Sequence, residues 1–201
     1  QGGVYVHLGK ADHVDFGQWC DGIAKGRSYI SDGYAHALEF AVNGKPAGDQ
    51  VALNRPGQVT VKAKVAFAAR QPLGTAVGGP EPKGPTRKVE VVVNGVAVAA
   101  RDVPADDQVH DLEFTVPIDK SSWVALRHFP SLHTNPVTVT VAGNPIRASR
   151  RSAEWCAGMI EQLWRVRAKE IAADERSEAE QTFHKAIDIY RRIAAEAAEG
   201  S

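Results

Sequence analysis

Seven histidines and two cysteines are the residues of this 201-residue sequence best suited to metal or nucleophile chemistry. The tightest pairing of a carboxylate with an imidazole is Asp32 and His36, separated by Gly33, Tyr34 and Ala35. A zinc centre takes three or four protein ligands, so this pair alone falls short of one. The competing reading is a turn, in which the Asp32 carboxylate caps a backbone amide and Gly33 supplies a positive φ. A second group is Arg127, His128, Ser131, His133 and Asn135, on a segment stiffened by Pro130 and Pro136. Such a loop can hold an anion or a polar substrate group. It can equally be a structured crossover whose polar atoms satisfy one another. A third group, Arg147, Arg150 and Arg151, sits near the start of a predicted helix, where cations oppose the macrodipole. It calls for an acidic neighbour such as Glu154, or for a phosphate. No GxSxG, Gly-rich phosphate loop or HExxH is present, so nucleophilic serine or cysteine catalysis has no motif to rest on.

Composition narrows the classes further. Lys and Arg balance Asp and Glu at 24 each, so no basic excess exists to bind a phosphate backbone, and no nucleic-acid partner is expected. Hydrophobic residues at 43% and charged residues at 24% are the proportions of a globular protein. No apolar run approaches the ~20 residues of a membrane span, and no membrane partner is expected. The N-terminus has no basic segment leading into an apolar stretch, so no signal peptide is expected. Gln1-Gly2-Gly3 runs at once into an alternating segment with no initiator methionine, which predicts that position 1 lies within a longer protein. Cys20 and Cys156 belong to no CxxC and are too few for a four-cysteine zinc site. Buried thiols are expected, a disulfide between them stays open, and so does the compartment.

The elements that would position these groups fall into three regions. In residues 1–35, Val4, Val6 and Leu8 alternate with Tyr5 and His7, predicting a strand. Asp15 and Gln18 form a capping box ahead of Phe16, Trp19, Cys20 and Ile23 at helical spacing, and Gly26 is placed to end that helix. Residues 27–31 read as extended. This strand–helix–strand order looks like the remnant of a preceding α/β domain.

Residues 36–148 carry about seven short strands. Alternation is clearest at Val59, Val61, Ala63 and Val65, and at Leu112, Phe114 and Val116. Asn43-Gly44 and Asn94-Gly95, each after an apolar run, predict type I′ hairpin turns. Trp123 and Val137 open two further strands, and residues 74–85, rich in Gly and Pro, predict a surface loop. The pattern is that of an immunoglobulin-like sandwich with Val61, Val65, Val91, Phe114 and Trp123 in its core. In residues 149–201, Trp155, Met159, Leu163 and Val166 mark one face of a first helix. Asp174 is placed to cap a second, which carries Phe183, Ile187, Tyr190 and Ile193 and ends by Gly200. Together they predict a helical hairpin that packs on the protein's own body rather than on a second chain, so a monomer is expected.

Several segments, in order, resemble one family. Residues 26–33 (GRSYISDG), then Phe40-x-Val42-Asn43-Gly44 and Gly48-Asp49, are similar to the segment after the catalytic domain in carbaryl-hydrolase-like (CehA/McbA-type) metallohydrolases of the PHP superfamily. Residues 122–127, 133–137 and 145–155, and the closing hairpin with Glu175-Arg176 and Ala186-x-x-x-Tyr190, resemble the C-terminal half of the same proteins. The resemblance implies a parent in which an α/β barrel binds divalent metal ions through His, Asp and Glu upstream of Gln1. It carries no metal ligand, catalytic residue or cofactor onto this chain. Arg27, Asp32 and His36 are the implied candidates for the rim of the substrate site, with Arg127, His128 and His133 as rim candidates from the second group. The resulting expectation is a non-catalytic accessory region that braces the catalytic barrel, its partner within the same polypeptide, and shapes substrate entry. The alternative is a free-standing immunoglobulin-like module for a sugar or protein.

Overall fold

A computed structural model describes residues 2–9, 12–70 and 84–197. Residues 74–83 of the loop expected at 74–85, and the helix end expected at Gly200, lie outside the described residues. The chain is mainly β, 41% strand against 28% helix. It divides into two compact units, Gln1–Ile146 and Arg147–Ser201.

The first unit begins with β1 (Gly3–Val6), α1 (Phe16–Ala24) and β2 (Ser28–Ser31). Asp15 caps α1 as its sequence predicts: its carboxylate accepts from the Gln18 N–H at 2.8 Å. Gly26, at φ 69°, follows the end of the helix. Then come β3 (Ala35–Val42), β4 (Lys45–Pro46), β5 (Gln50–Leu53), β6 (Gly57–Phe67), β7 (Thr86–Val93), β8 (Val96–Pro104), β9 (Val109–Ile118), β10 (Ser122–His128), β11 (Leu132–Thr134) and β12 (Val137–Val141). Both Asn-Gly turns have the two positive φ angles a type I′ turn demands, 48° and 76° at Asn43-Gly44 and 51° and 92° at Asn94-Gly95.

These strands make an immunoglobulin-like sandwich of an eight-stranded and a four-stranded sheet. The smaller sheet runs β4-β3-β6-β9. In the larger sheet β10 is the hub. β7 pairs along one edge and carries β8. The other edge is shared, by β12 beside Ser122 to Val124 and by β11 beside Arg127 and His128. β11 carries β2 and then β1, all antiparallel, while β12 carries β5 in the one parallel pairing among the described strands. Within residues 1–35, the segment expected to be a remnant of a preceding domain, β1 and β2 are strands of the larger sheet and lie in the same compact unit as the sandwich.

The interior lies between the sheets. Val61, Val65, Val91 and Phe114 are buried there, as their alternation predicts. Trp123 is not: it is half-buried, and its neighbours Val124 and Leu126 fill the core. Ser122, Val124, Ala125 and Leu126 are all buried, so this central strand is covered on both faces and its sequence offers no alternation to fix which way Trp123 points.

The second unit is a pair of helices, α2 (Arg150–Arg167) and α3 (Arg176–Glu196), joined through a 3-10 turn at Ala168–Glu170. Ser149 caps α2, accepting from Ser152 N–H at 3.1 Å. Glu175, not Asp174, is the N-cap position of α3, and it makes no side-chain capping bond. The apolar face read from the sequence of α2 is not the one buried against α3. Ala153 and Ala157 are its buried residues, and Trp164 meets Phe183 of α3 at 5.1 Å between ring centroids. Trp155, Met159, Leu163 and Val166 face solvent. The arginines at the start of α2 find partners on α3. Arg147 binds Glu196 at 2.6 Å, and Arg150 donates to the Ala194 carbonyl at 3.2 Å. The antiparallel pairing brings these cations to the negative end of α3, which removes the conflict with the α2 dipole.

Candidate functional site

In the first unit β2 and β3 line a cleft of about 310 Å³, at the lower end of the range for small-molecule sites. His7, Arg27, Tyr29, Glu39, Phe40 and Thr134 contribute to its wall. Arg27 stands just before β2, where its carbonyl accepts from the His7 N–H at 3.0 Å. Its guanidinium pairs with Asp49 at 3.4 Å, and Glu39 pairs with Lys64 at 3.0 Å. Both pairs are open to solvent, so each contributes roughly 0–1 kcal/mol and leaves its charge available.

Beside the cleft the two tyrosines of β1 and β2 gather with His36. Tyr5 and Tyr29 are directly paired across the strands and stack at 5.1 Å. His36 meets Tyr5 edge-on at 5.0 Å. The Tyr29 hydroxyl donates to His36 Nδ1 at 3.0 Å, and His36 Nε2–H donates to the Gly33 carbonyl at 3.2 Å. A carbonyl only accepts, so the Gly33 contact fixes the tautomer. Burial, with Tyr5 adding to it, pushes the Tyr29 phenol up to about 12. At neutral pH it is a hydrogen-bond donor and not a nucleophile.

Asp32 is engaged elsewhere. Its Oδ1 accepts from the Tyr34 N–H at 2.9 Å, and Gly33 takes φ 93°, so Asp32 forms the capped turn that its sequence predicts. The second candidate group is not one loop. It is the end of β10, a turn containing a cis Phe129–Pro130 bond, and β11. Arg127 and His133 are directly paired and share one face of the sheet, while His128 takes the other. Arg127 binds Glu90, its cross-strand partner on β7, at 2.7 Å. His133 Nδ1 donates to the Thr134 carbonyl at 2.7 Å. His128 turns inward, 6% exposed, against the Phe67 ring at 5.2 Å, and its Nδ1–H donates to the Lys88 carbonyl at 2.9 Å. Burial lowers its pKa, and the Arg87 charge lowers it further against the opposing pull of Lys88 O, Asp32 and Glu90.

No protein-family model matches the chain, and no curated protein matches it. Among solved structures, it is similar in part to the crystal structure of the CARDB domain of the PF1109 protein from Pyrococcus furiosus, in complex with di-metal ions. The identity is 14%, the match covers 54% of this chain and 96% of that one, and the TM-score is 0.31.

Among the described residues no three His, Cys, Asp or Glu side chains gather closely enough to hold a metal ion. No described helix is long and apolar enough to cross a membrane. Both cysteines are free. Cys20 is exposed and Cys156 half-buried, so neither is the buried thiol expected. Sequence reasoning missed two groupings, the Tyr5–Tyr29–His36 ring cluster and the approach of Asp32 to the β10–β11 turn. The available signal for the first was the shared parity of Tyr5 against Val4 and Val6, and of Tyr29 against Ile30.

Proposed function

We propose that this chain is a non-catalytic accessory region of a metal-dependent hydrolase, and that it docks on the catalytic domain through two apolar faces. The observation that carries this is where large apolar side chains remain in solvent. On the first unit they concentrate around α1 and the outer side of β1 and β2: Val14 is 87% exposed, Phe16 76%, and Ile30 56%. On the second unit they form the α2 stripe, led by Trp155 at 65%. Single exposed apolar residues are ordinary, but contiguous sets of them mark contact surfaces. Covering each large side chain is worth roughly 1.5–3 kcal/mol, so a partner domain has much to gain on these faces. The catalytic barrel of the same polypeptide is the proposed occupant, braced by this region, with Arg27 and its cleft near the rim of the substrate site.

The test is activity. The parent polypeptide is expected to hydrolyse an ester, carbamate or phosphate ester in a metal-dependent way, while these 201 residues with added zinc or manganese give none. Turnover by the isolated chain that is abolished by a chelator and by His36→Ala would refute the accessory role.

A second reading has its own support in the cleft between β2 and β3: a binding module for a sugar or a protein. The cleft offers a guanidinium, hydroxyls and a carboxylate around Phe40, but Phe, Trp and Tyr total 7% of the chain and build no stacking platform there. Titration with mono- and disaccharides, followed at the Arg27 and Tyr29 amides, decides it. Saturable shifts favour the module, and unchanged spectra remove it for sugars.

A further inference from the structure

We propose that one corner of the sandwich, closed by Asp32, Arg87, His128 and Ser131, binds a single internal water molecule. The backbone brings these residues together. Asp32 N–H donates to the Ser131 carbonyl at 3.1 Å, and Leu132, the next residue, is paired with both Ser31 and His128. Arg87 precedes Lys88, whose carbonyl holds His128 Nδ1–H at 2.9 Å. Arg87, His128 and Ser131 are 5%, 6% and 6% exposed.

Four buried side-chain polar atoms among the described residues have no hydrogen-bond partner: Asp32 Oδ2, Arg87 Nε, His128 Nε2 and Ser131 Oγ. All four belong to these residues. Buried polar groups in folded proteins are nearly always paired, by protein or by ordered water. Their chemistry specifies the ligand. Asp32 Oδ2 only accepts. His128 Nε2 also only accepts, because the proton of the neutral ring sits on Nδ1. Arg87 Nε–H only donates, and the Ser131 hydroxyl is free to donate. Two acceptors and two donors match the two hydrogens and two lone pairs of one water, and a buried water commonly makes about three such bonds. A cation meets the Arg87 guanidinium and lacks a third His, Cys, Asp or Glu ligand. An anion meets the Asp32 carboxylate. The water ties the β10–β11 turn to the Asp32 turn, so Asp32 is a structural anchor on this corner.

A high-resolution crystal structure of the chain tests this. The expected result is one water peak within about 2.6–3.2 Å of at least three of the four atoms. Direct bonds among the four side chains, a metal or an anion at that position, or no density between them overturns the proposal. In solution, the Asp32 amide and the His128 ring protons are expected to show cross-relaxation with a long-lived water, reduced in Ser131→Ala. A protected Asp32 amide with no such cross-relaxation overturns the proposal as well.

Discussion

Gly22 of α1 lies so close against Val6 of β1 that a Cβ on Gly22 would stand 2.2 Å from the Val6 Cγ1. This contact seats the helix on the outer side of β1. A short, branched valine has little room to move aside.

Gly22→Ala is therefore expected to lift or tilt α1 rather than strengthen it. Alanine improves helix propensity by about 0.8–1 kcal/mol. Forcing an extra carbon into a closed contact costs typically about 1–3 kcal/mol. The clash wins, and amide exchange within α1 should speed up while the sandwich strands stay protected. Unchanged exchange in α1 would show that the contact is not what holds the helix.

The core and the edge of the larger sheet should respond very differently to truncation. Leu126 is fully buried on the hub strand β10, so Leu126→Ala should cost about 2–5 kcal/mol in urea unfolding. Val96, exposed on the outermost strand β8, should cost no more than about 0.5 kcal/mol when changed to Ala. Equal losses at the two positions would contradict the sheet order.

His128 makes stability depend on pH. Burial holds its pKa below the usual histidine value, so the folded state binds its proton less readily than the unfolded state. The contribution is fully present above the unfolded pKa and is lost as pH falls through the folded one. Between about pH 7.5 and about pH 5, wild type should lose more stability than His128→Gln, measured by the shift in urea midpoint. An identical loss in both proteins would remove His128 as the source.

Much of the sandwich is legible in the chain because its strands are half-buried. Alternation places β6 and β9, and the two Asn-Gly pairs place hairpin turns to the residue. The departures have local causes. β5 and β11 are four and three residues long, too short to show a period. Trp123 lies outside the core expected for it because β10 is apolar on both faces. On α2 two adjacent faces compete. The bulky stripe from Trp155 to Val166 outweighs Ala153 and Ala157 in hydrophobicity, yet the small residues are the ones buried. Of the candidate site, the Asp32 turn is legible from Asp-Gly chemistry. The corner it shares with His128 is not, since it depends on β2 pairing with a strand about a hundred residues later.

The accessory role is tested most directly by footprinting the exposed aromatic side chains with hydroxyl radicals. Phe16 and Trp155 are compared in these 201 residues alone and in the parent polypeptide. The account predicts strong labelling of both in the isolated chain and protection of both in the parent, with exposed residues away from the two apolar faces, such as Val96, labelled alike in each. Equal labelling of Phe16 and Trp155 in the two proteins would contradict docking through these faces.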